Sequence, residues 1–84
     1  MERNFHSRFG EIDIIAIKDG ILHFIEVKYS KNYDPIERIT QSKIRKITKT
    51  IDFYMYSNNM DMDYQIDALL VKNELIEIVE NISY

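Results

Sequence analysis

The stretch Gly10–Lys28, GEIDIIAIKDGILHFIEVK, decides how this chain is read. Asp19-Gly20 separates two apolar runs of similar length, the strongest short-range signal for a β-hairpin closed by a two-residue type I′ turn. Such a turn pairs position 18 with 21 and sets every other facing pair by the same sum. Asp13 then stands opposite Glu26, and Glu11 opposite Lys28. Side chains alternate with period two, so all four are expected on one side of the sheet. Like charges directly opposite destabilise a sheet. Asp13 facing Glu26 therefore asks for compensation, and a divalent metal supplies it. A three-residue turn with a bulge at Gly20 would shift the register but leave the two carboxylates close.

The arms, roughly Glu11–Lys18 and Ile21–Lys28, are apolar on both faces. Ile12, Ile14, Ala16, Ile25 and Val27 share one face. Ile15, Ile17, Leu22 and Phe24 share the other, beside the charged end. Strands of this kind are central and covered on both sides. Upstream, Arg3–Phe9 reads as a short lead-in strand with Phe5 and Phe9 as its apolar members, and His6 as a surface residue. Downstream, Tyr29–Asp34 is polar and reads as a loop.

A helix follows, with two possible starts: Asp34-Pro35, an acidic cap before proline, or Thr40. Ile44, Ile47, Ile51, Tyr54 and Met55 recur at helical spacing to about Tyr56. Lys43, Arg45, Lys46 and Lys49 lie mainly off that stripe, and Ser57-Asn58-Asn59 ends it. Tyr64–Lys72 and Leu75–Asn81 read as two more strands around Asn73-Glu74. Met55, Met60 and Met62 read as packing and loop residues. The order is β-β-β-α-β-β, an α+β domain with a mixed sheet. One helix covers one face of such a sheet, so the other calls for dimerisation or for a further N-terminal helix.

The chain's 84 residues make a single domain, 1–84, near the lower size limit for one self-sufficient core. It has no cysteine, which removes disulfides and thiolate–zinc sites. No apolar run is long enough to span a bilayer, and Met1–Phe9 is too polar for a cleavable signal. A soluble cytoplasmic protein without a membrane partner is expected. The net charge of −3 argues mildly against general nucleic-acid binding, but the sum hides an asymmetry. Lys28, Lys31, Arg38, Lys43, Arg45, Lys46 and Lys49 face only Asp34 and Glu37 in the middle of the chain, and beyond Thr50 the charge is almost all acidic. One cationic face on an acidic protein is expected; the plain alternative is a solvated helix face.

At the charged end, Asp13 and Glu26 offer two carboxylates to a hard cation such as Mg²⁺, or Mn²⁺ as substitute, with the backbone oxygen of Val27 as a third ligand. A metal so held polarises a phosphodiester and lowers the pKa of a bound water. Lys28 would orient that water or stabilise developing charge, and Glu11 would hold the lysine or act as an accessory acid. The alternative without chemistry is a Glu11–Lys28 cross-strand salt bridge, worth about 0.2–1 kcal/mol, beside two carboxylates at a wet sheet edge.

The order strand–Asp–hairpin–Glu-x-Lys–helix resembles that of the PD-(D/E)XK nuclease superfamily. More closely, FHSRFGEIDIIAIKDGILHFIEVKYS resembles the core of the YraN-like bacterial proteins, which are related to Holliday-junction resolvases. Arg8, the Gly10–Ala16 block and the Phe24–Lys28 block carry the match; Thr40, Lys43 and Ile66-Asp67-Ala68 fit more loosely. The resemblance implies a restriction-endonuclease-like core and a Mg²⁺-dependent site at Asp13, Glu26 and Lys28. It also implies duplex or branched DNA as substrate. Arg8, Lys43 and Lys46 are the expected DNA contacts, Lys43 because it lies in the first turn of the helix, on the side toward the sheet end. The family pattern places a helix before the first strand, whereas Met1 here stands almost at that strand. Resolvase-type chemistry needs two symmetric sites, so a homodimer is expected. A DNA-binding or assembly module without useful catalysis is the alternative on the same fold.

Overall fold

In the computed structural model, residues 1–30 and 40–82 are described. Strands β1 (Glu2–Ser7), β2 (Gly10–Lys18) and β3 (Ile21–Ser30) precede helix α1 (Gln41–Ser57), and β4 (Tyr64–Lys72) and β5 (Leu75–Val79) follow it. The five strands form one sheet in the order β1-β2-β3-β4-β5. Neighbours are antiparallel except β3 and β4, which run parallel. Parallel neighbours need a crossover, and α1 lies in it. The fold is mixed α+β in the expected element order.

The hairpin closes as its sequence dictates. Asp19 and Gly20 have φ of 53° and 77°, both positive as a type I′ turn requires. Lys18 faces Ile21, and the register runs on to Ile14 facing Ile25. β3 continues to Ser30, so Tyr29 and Ser30 belong to the strand rather than to a loop. Its outer residues find a partner in β4, where Tyr29 faces Val71 and Ser30 faces Lys72. The possible helix start at Asp34-Pro35 lies outside the described residues. Thr40 is the observed N-cap, its side chain accepting from the Lys43 N–H at 3.2 Å.

Two further expected boundaries move, each for a local reason. β1 stops at Ser7, and Arg8-Phe9 form the turn to β2 instead of continuing the strand. Ser7 Oγ accepts from the Phe9 N–H at 3.1 Å and donates to the Gly10 carbonyl at 3.2 Å, pinning that turn. β5 stops at Val79 rather than Asn81. Asn81 takes a positive φ of 55° and gives its N–H to Asp67 Oδ1 at 2.9 Å, which draws the chain off the sheet edge. At the helix end the left-handed residue is Asn59, φ 51°, after the Asn58 cap.

The core lies between α1 and one sheet face. Ile47, Ile51 and Tyr54 of the helix meet Ile12, Ile15, Leu22, Phe24, Ile66, Ala68 and Leu70, all buried. The Phe24 ring stands edge-on to Tyr54 at 5.8 Å and to Tyr64 at 5.7 Å. Met55, Met60 and Met62 pack against its rim. On the opposite face Ile14, Ile25, Val27, Leu69 and Val71 are only half-buried, and no helix covers them among the described residues.

The strict alternation expected along β2 fails at one place. Phe5, which faces Ile12, sets its ring on Tyr54 at 5.0 Å, so Ile12 lies on the helix side. Ile15 faces Phe24, which also meets Tyr54. Ile12 and Ile15 are three apart, yet both lie under the helix; Ile12 does not share the far face with Ile14 and Ala16. β2 therefore slips by half a period at Asp13-Ile14. β1 slips with it: Arg3 faces Ile14, Phe5 faces Ile12, and Asn4 between them has a φ of 53°. A positive φ at Asn4 lets both strands change side together without losing register.

That account makes a prediction about Asn4. Asn4→Gly should leave stability unchanged or slightly raised, because glycine enters positive φ freely. Asn4→Val should cost about 1–2 kcal/mol, read as a lower urea midpoint. Equal midpoints for the two variants would show that the positive φ does not matter.

Candidate functional site

Three elements meet at the charged end. β3 contributes Glu26 and Lys28, which share the helix side with Phe24 by strand alternation. Lys28 Nζ lies 3.1 Å from Glu26 Oε1, with the side chains only 16% and 15% exposed. α1 contributes Lys43 in its first turn and Lys46 further along. The β1–β2 turn contributes Phe9 and Gly10. With Glu11, Ile47 and Thr50, these residues line a cavity of about 280 Å³. Gly10 has a φ of 145°, which side chains rarely tolerate, and a Cβ there would stand 3.4 Å from Thr50 Oγ1. Glycine thus lets β2 come up against the helix and close the cavity.

Asp13 enters from the slip in β2. Its Oδ2 accepts from the Val27 N–H at 2.8 Å, so a side chain fills a place the regular ladder would give to a backbone carbonyl. The Val27 carbonyl points along the strand edge in the same direction as its N–H. Asp13 borders a second cavity of about 350 Å³ with Arg3, Asn4, Ile14, Val27 and Tyr29. The expectation of four charged groups on one side is thereby corrected. Glu26 and Lys28 lie on the helix side; Asp13 sits in the seam, near enough to act on Glu26, Lys28 and Lys43, and also borders the far-side depression. The half-period slip is the cause. The two carboxylates nevertheless flank one residue, Val27, and Asp13 raises the proton affinity of Glu26 through space.

The electrostatics single out this cluster. Burial, then the charge of Asp13, push the Glu26 carboxyl above its ordinary value, against the lowering effects of Lys28 and Lys43. Burial by itself would lower Lys28, but hydrogen bonds with Lys43 and Glu26 outweigh it and hold the ammonium above the ordinary lysine value. Its hydrogen bond with Lys28, then burial, push Lys43 down. Shifted groups facing one cavity are the usual mark of a functional site.

Glu11 does not partner Lys28. It pairs with His6 across β1–β2, His6 Nδ1 to Glu11 Oε2 at 3.0 Å, and both side chains are exposed. Arg8 lies at the turn with its guanidinium 5.0 Å from the Phe9 ring centroid, beside the cavity rather than in it.

Residues 1–71 match the model of the family described as "Uncharacterised protein family UPF0102". A UPF0102 protein of a Nitratiruptor species is 57% identical over 82 residues, covering 98% of this chain and 73% of that protein. One from Helicobacter pylori is 56% identical over 84 residues, covering 100% and 74%. One from Campylobacter fetus subsp. fetus is 53% identical over 85 residues, covering 100% and 76%. The chain belongs to the UPF0102 family, the YraN-like proteins. It spans about three quarters of the length of each of these relatives. None of its described helices is long and apolar enough to cross a membrane.

The UPF0102 chain holds a second polar cluster that pattern reading missed. Asp67, 3% exposed, lies on β4. His23 Nδ1 is 2.8 Å from its Oδ2, while Gln65 Nε2 and the Asn81 N–H donate to its Oδ1 at 2.8 and 2.9 Å. Burial would raise Asp67, but the donors Asn81, His23 and Gln65 outweigh it and hold the carboxyl below its ordinary value. His23 and Asp67 lie in different strands joined only by the parallel register, in which His23 faces Gln65. Only that register could have revealed the pair. The cluster is fully satisfied and ties the C-terminal segment to β4, a structural role.

The two acids predict opposite pH behaviour. A depressed carboxyl stabilises the fold fully above the ordinary carboxylate range and loses that contribution as pH falls through its lowered value. A raised carboxyl does the reverse, the fold gaining stability as pH falls through its raised value. Asp67→Asn should therefore destabilise the protein at pH 7 by about 1–3 kcal/mol and differ less from wild type once the pH falls through the carboxyl's lowered value. Glu26→Gln should remove a rise in stability on mild acidification. Urea unfolding across pH measures both, and parallel profiles for the two variants would contradict these assignments.

Proposed function

We propose that this UPF0102 protein is a divalent-metal-dependent DNA endonuclease of the PD-(D/E)XK type, acting on duplex or branched DNA. The observation that carries the reading is the pair Asp13 and Glu26 flanking Val27, with Lys28 held against Glu26 in a cavity lined by Lys43 and Lys46.

The donor set fits a hard cation. Among the described residues Asp13 engages the Val27 N–H through Oδ2 and Glu26 engages Lys28 through Oε1, so each carboxylate has a second oxygen to offer a cation. Two carboxylate oxygens and the Val27 carbonyl suit Mg²⁺ or Mn²⁺, which otherwise keep waters and take substrate phosphate. When bound, such a cation polarises a phosphodiester and acidifies a water. The chain's own groups do the rest. Lys28, kept protonated by Glu26, donates to a phosphoryl oxygen where charge develops. Lys43 and Lys46 neutralise the phosphate entering the cavity. Thr40 fixes the first turn of α1, and with it the reach of Lys43. A pair of strands cut symmetrically takes two such sites, so the reading includes a two-fold dimer.

One observation favours a second reading, a DNA-binding or assembly module without turnover. Among the described residues no three His, Cys, Asp or Glu side chains cluster as a metal cage. Asp13 and Glu26 alone would then serve a weak site.

Thermal unfolding with and without Mn²⁺ separates these readings from a purely structural pair. Wild type should gain several degrees, and Asp13→Asn and Glu26→Gln should gain none. Incubation with labelled linear, flap and four-way-junction DNA in Mg²⁺ should give cleavage that either substitution reduces by at least roughly a hundredfold. Binding that weakens steeply with salt, without cleavage, establishes the second reading; no response to Mn²⁺ overturns the metal site.

A further inference from the structure

Beside the cavity of Glu26, Lys28 and Lys43 lies a second depression, of about 360 Å³, that the metal site does not use. Arg8 and Phe9 of the β1–β2 turn form one wall, and Lys49, Asp52, Phe53 and Tyr56 of α1 form the other. The helix residues are spaced i, i+3, i+4 and i+7, one stripe along α1. That stripe is distinct from the buried one of Ile47, Thr50, Ile51 and Tyr54. Its rings are open to solvent: Tyr56 is 88% exposed, Phe53 40% and Phe9 36%. Phe9 and Phe53 are also held in place, since Phe53 stands edge-on to Phe9 at 6.1 Å and tilted against Phe5 at 6.3 Å.

Phe9 lines both depressions, so the aromatic surface continues directly into the cavity of the two carboxylates' lysines. We infer that the Phe9–Phe53–Tyr56 depression, edged by Arg8 and Lys49, stacks one or two unpaired bases of a DNA strand whose phosphate lies in the Glu26–Lys28–Lys43 cavity. This inference rests on the DNA reading above and narrows its substrate to DNA with an unpaired strand next to the cut.

The residue types favour bases over other occupants. Every base has a π-face, and stacking on a preset ring needs no sequence. Arg8 and Lys49 flank the rings where a strand's phosphates would run, and the guanidinium already lies 5.0 Å from the Phe9 centroid. Asp52 opposes a phosphate inside the depression but accepts from the exocyclic amino groups of bases. A paired duplex keeps its base faces stacked on each other and cannot offer them to these rings. A single strand, frayed end or flap can.

The test uses the full chain in EDTA, so that binding is read without cleavage. The probes are a blunt DNA duplex and the same duplex with a short single-stranded tail carrying 2-aminopurine. The tailed probe should bind roughly tenfold more tightly than the blunt one, and 2-aminopurine fluorescence should fall on binding. Tyr56→Ala changes a residue almost fully in solvent, so its fold should be intact by circular dichroism. It should remove most of the preference and the fluorescence change, and Tyr56→Phe should restore both. Equal binding of the two probes, with fluorescence indifferent to Tyr56→Ala, overturns the stacking site and leaves the nuclease reading to its own cleavage assay. Binding of neither probe overturns the DNA reading as well. A dimer in sedimentation that Tyr56→Ala dissociates would assign the rings to a second copy and overturn the inference.

Discussion

The hydrogen bond from the Val27 N–H to Asp13 Oδ2, 2.8 Å long, ties together most of what is distinctive in this fold. A regular ladder would send that N–H to a carbonyl of β2. Here β2 changes side at Asp13, its companion β1 changes side at Asn4, and the rung would be lost. A buried amide left unmade is worth about 1–3 kcal/mol against the fold. The carboxylate replaces the missing acceptor, and the charge makes the replacement bond stronger than a neutral one. The same slip sets both Ile12 and Ile15 under the helix, which fills the core of a very small domain. Packing and site geometry thus share one cause. Removing the carboxylate would disturb both.

Among the described residues Asp67 and Glu26 are both screened from water, and their neighbours treat them in opposite ways. Asp67 receives three donors and is held below its ordinary value. Glu26 pairs with Lys28, lies near a like charge, and is pushed up. The first is a finished structural network: each oxygen is engaged and nothing remains to be bound. The second is under tension: burial and a like charge push the carboxyl up against the pull of Lys28 and Lys43. Acids whose surroundings drive their proton affinities apart are assigned different work on that ground.

How much of this was legible in the sequence follows from what each residue depends on. Asp19-Gly20 fixed the hairpin register from Lys18 facing Ile21 to Ile14 facing Ile25, though not the expected pairs Asp13–Glu26 and Glu11–Lys28 beyond it, because turn chemistry is local: positive φ at two successive positions leaves few choices. The helix stripe and its Thr40 cap were equally local. Putting four charged side chains on one face assumed uniform alternation, and alternation has no memory of a neighbouring strand. The slip at Asp13 is jointly held by Asn4, a residue that reads as an ordinary polar member of a lead-in strand. The partner of Glu11 turned out to be His6 because β1 pairs on that side, whereas reading the hairpin alone could offer only Lys28. His23 with Asp67 was invisible for the same reason, since parallel registers are set by crossover length and packing rather than by a turn. Ser7 and Gly10 could have marked the Arg8-Phe9 turn, being a side-chain acceptor and a glycine at the ends of a two-residue loop.

A structural account of the charged end has to explain Glu26 as well as Lys28. If the pair existed only to hold β3 to α1, a neutral residue at 26 would escape both burial of a charge and repulsion from Asp13. Lys28 would still have Asp13 near it, since the charge of Asp13 acts on Lys28 too. The loss would be one salt bridge, and breaking even a buried one is offset in part by the desolvation it avoids. Lys43 makes the case harder: a second amine beside Lys28 is itself pushed down by that neighbour and by burial. Neither arrangement benefits the isolated chain. On the proposed reading both would be relieved together by a ligand that brings a cation to the carboxylates and an anion to the lysines, and a metal ion with a phosphate is the simplest pair of that kind.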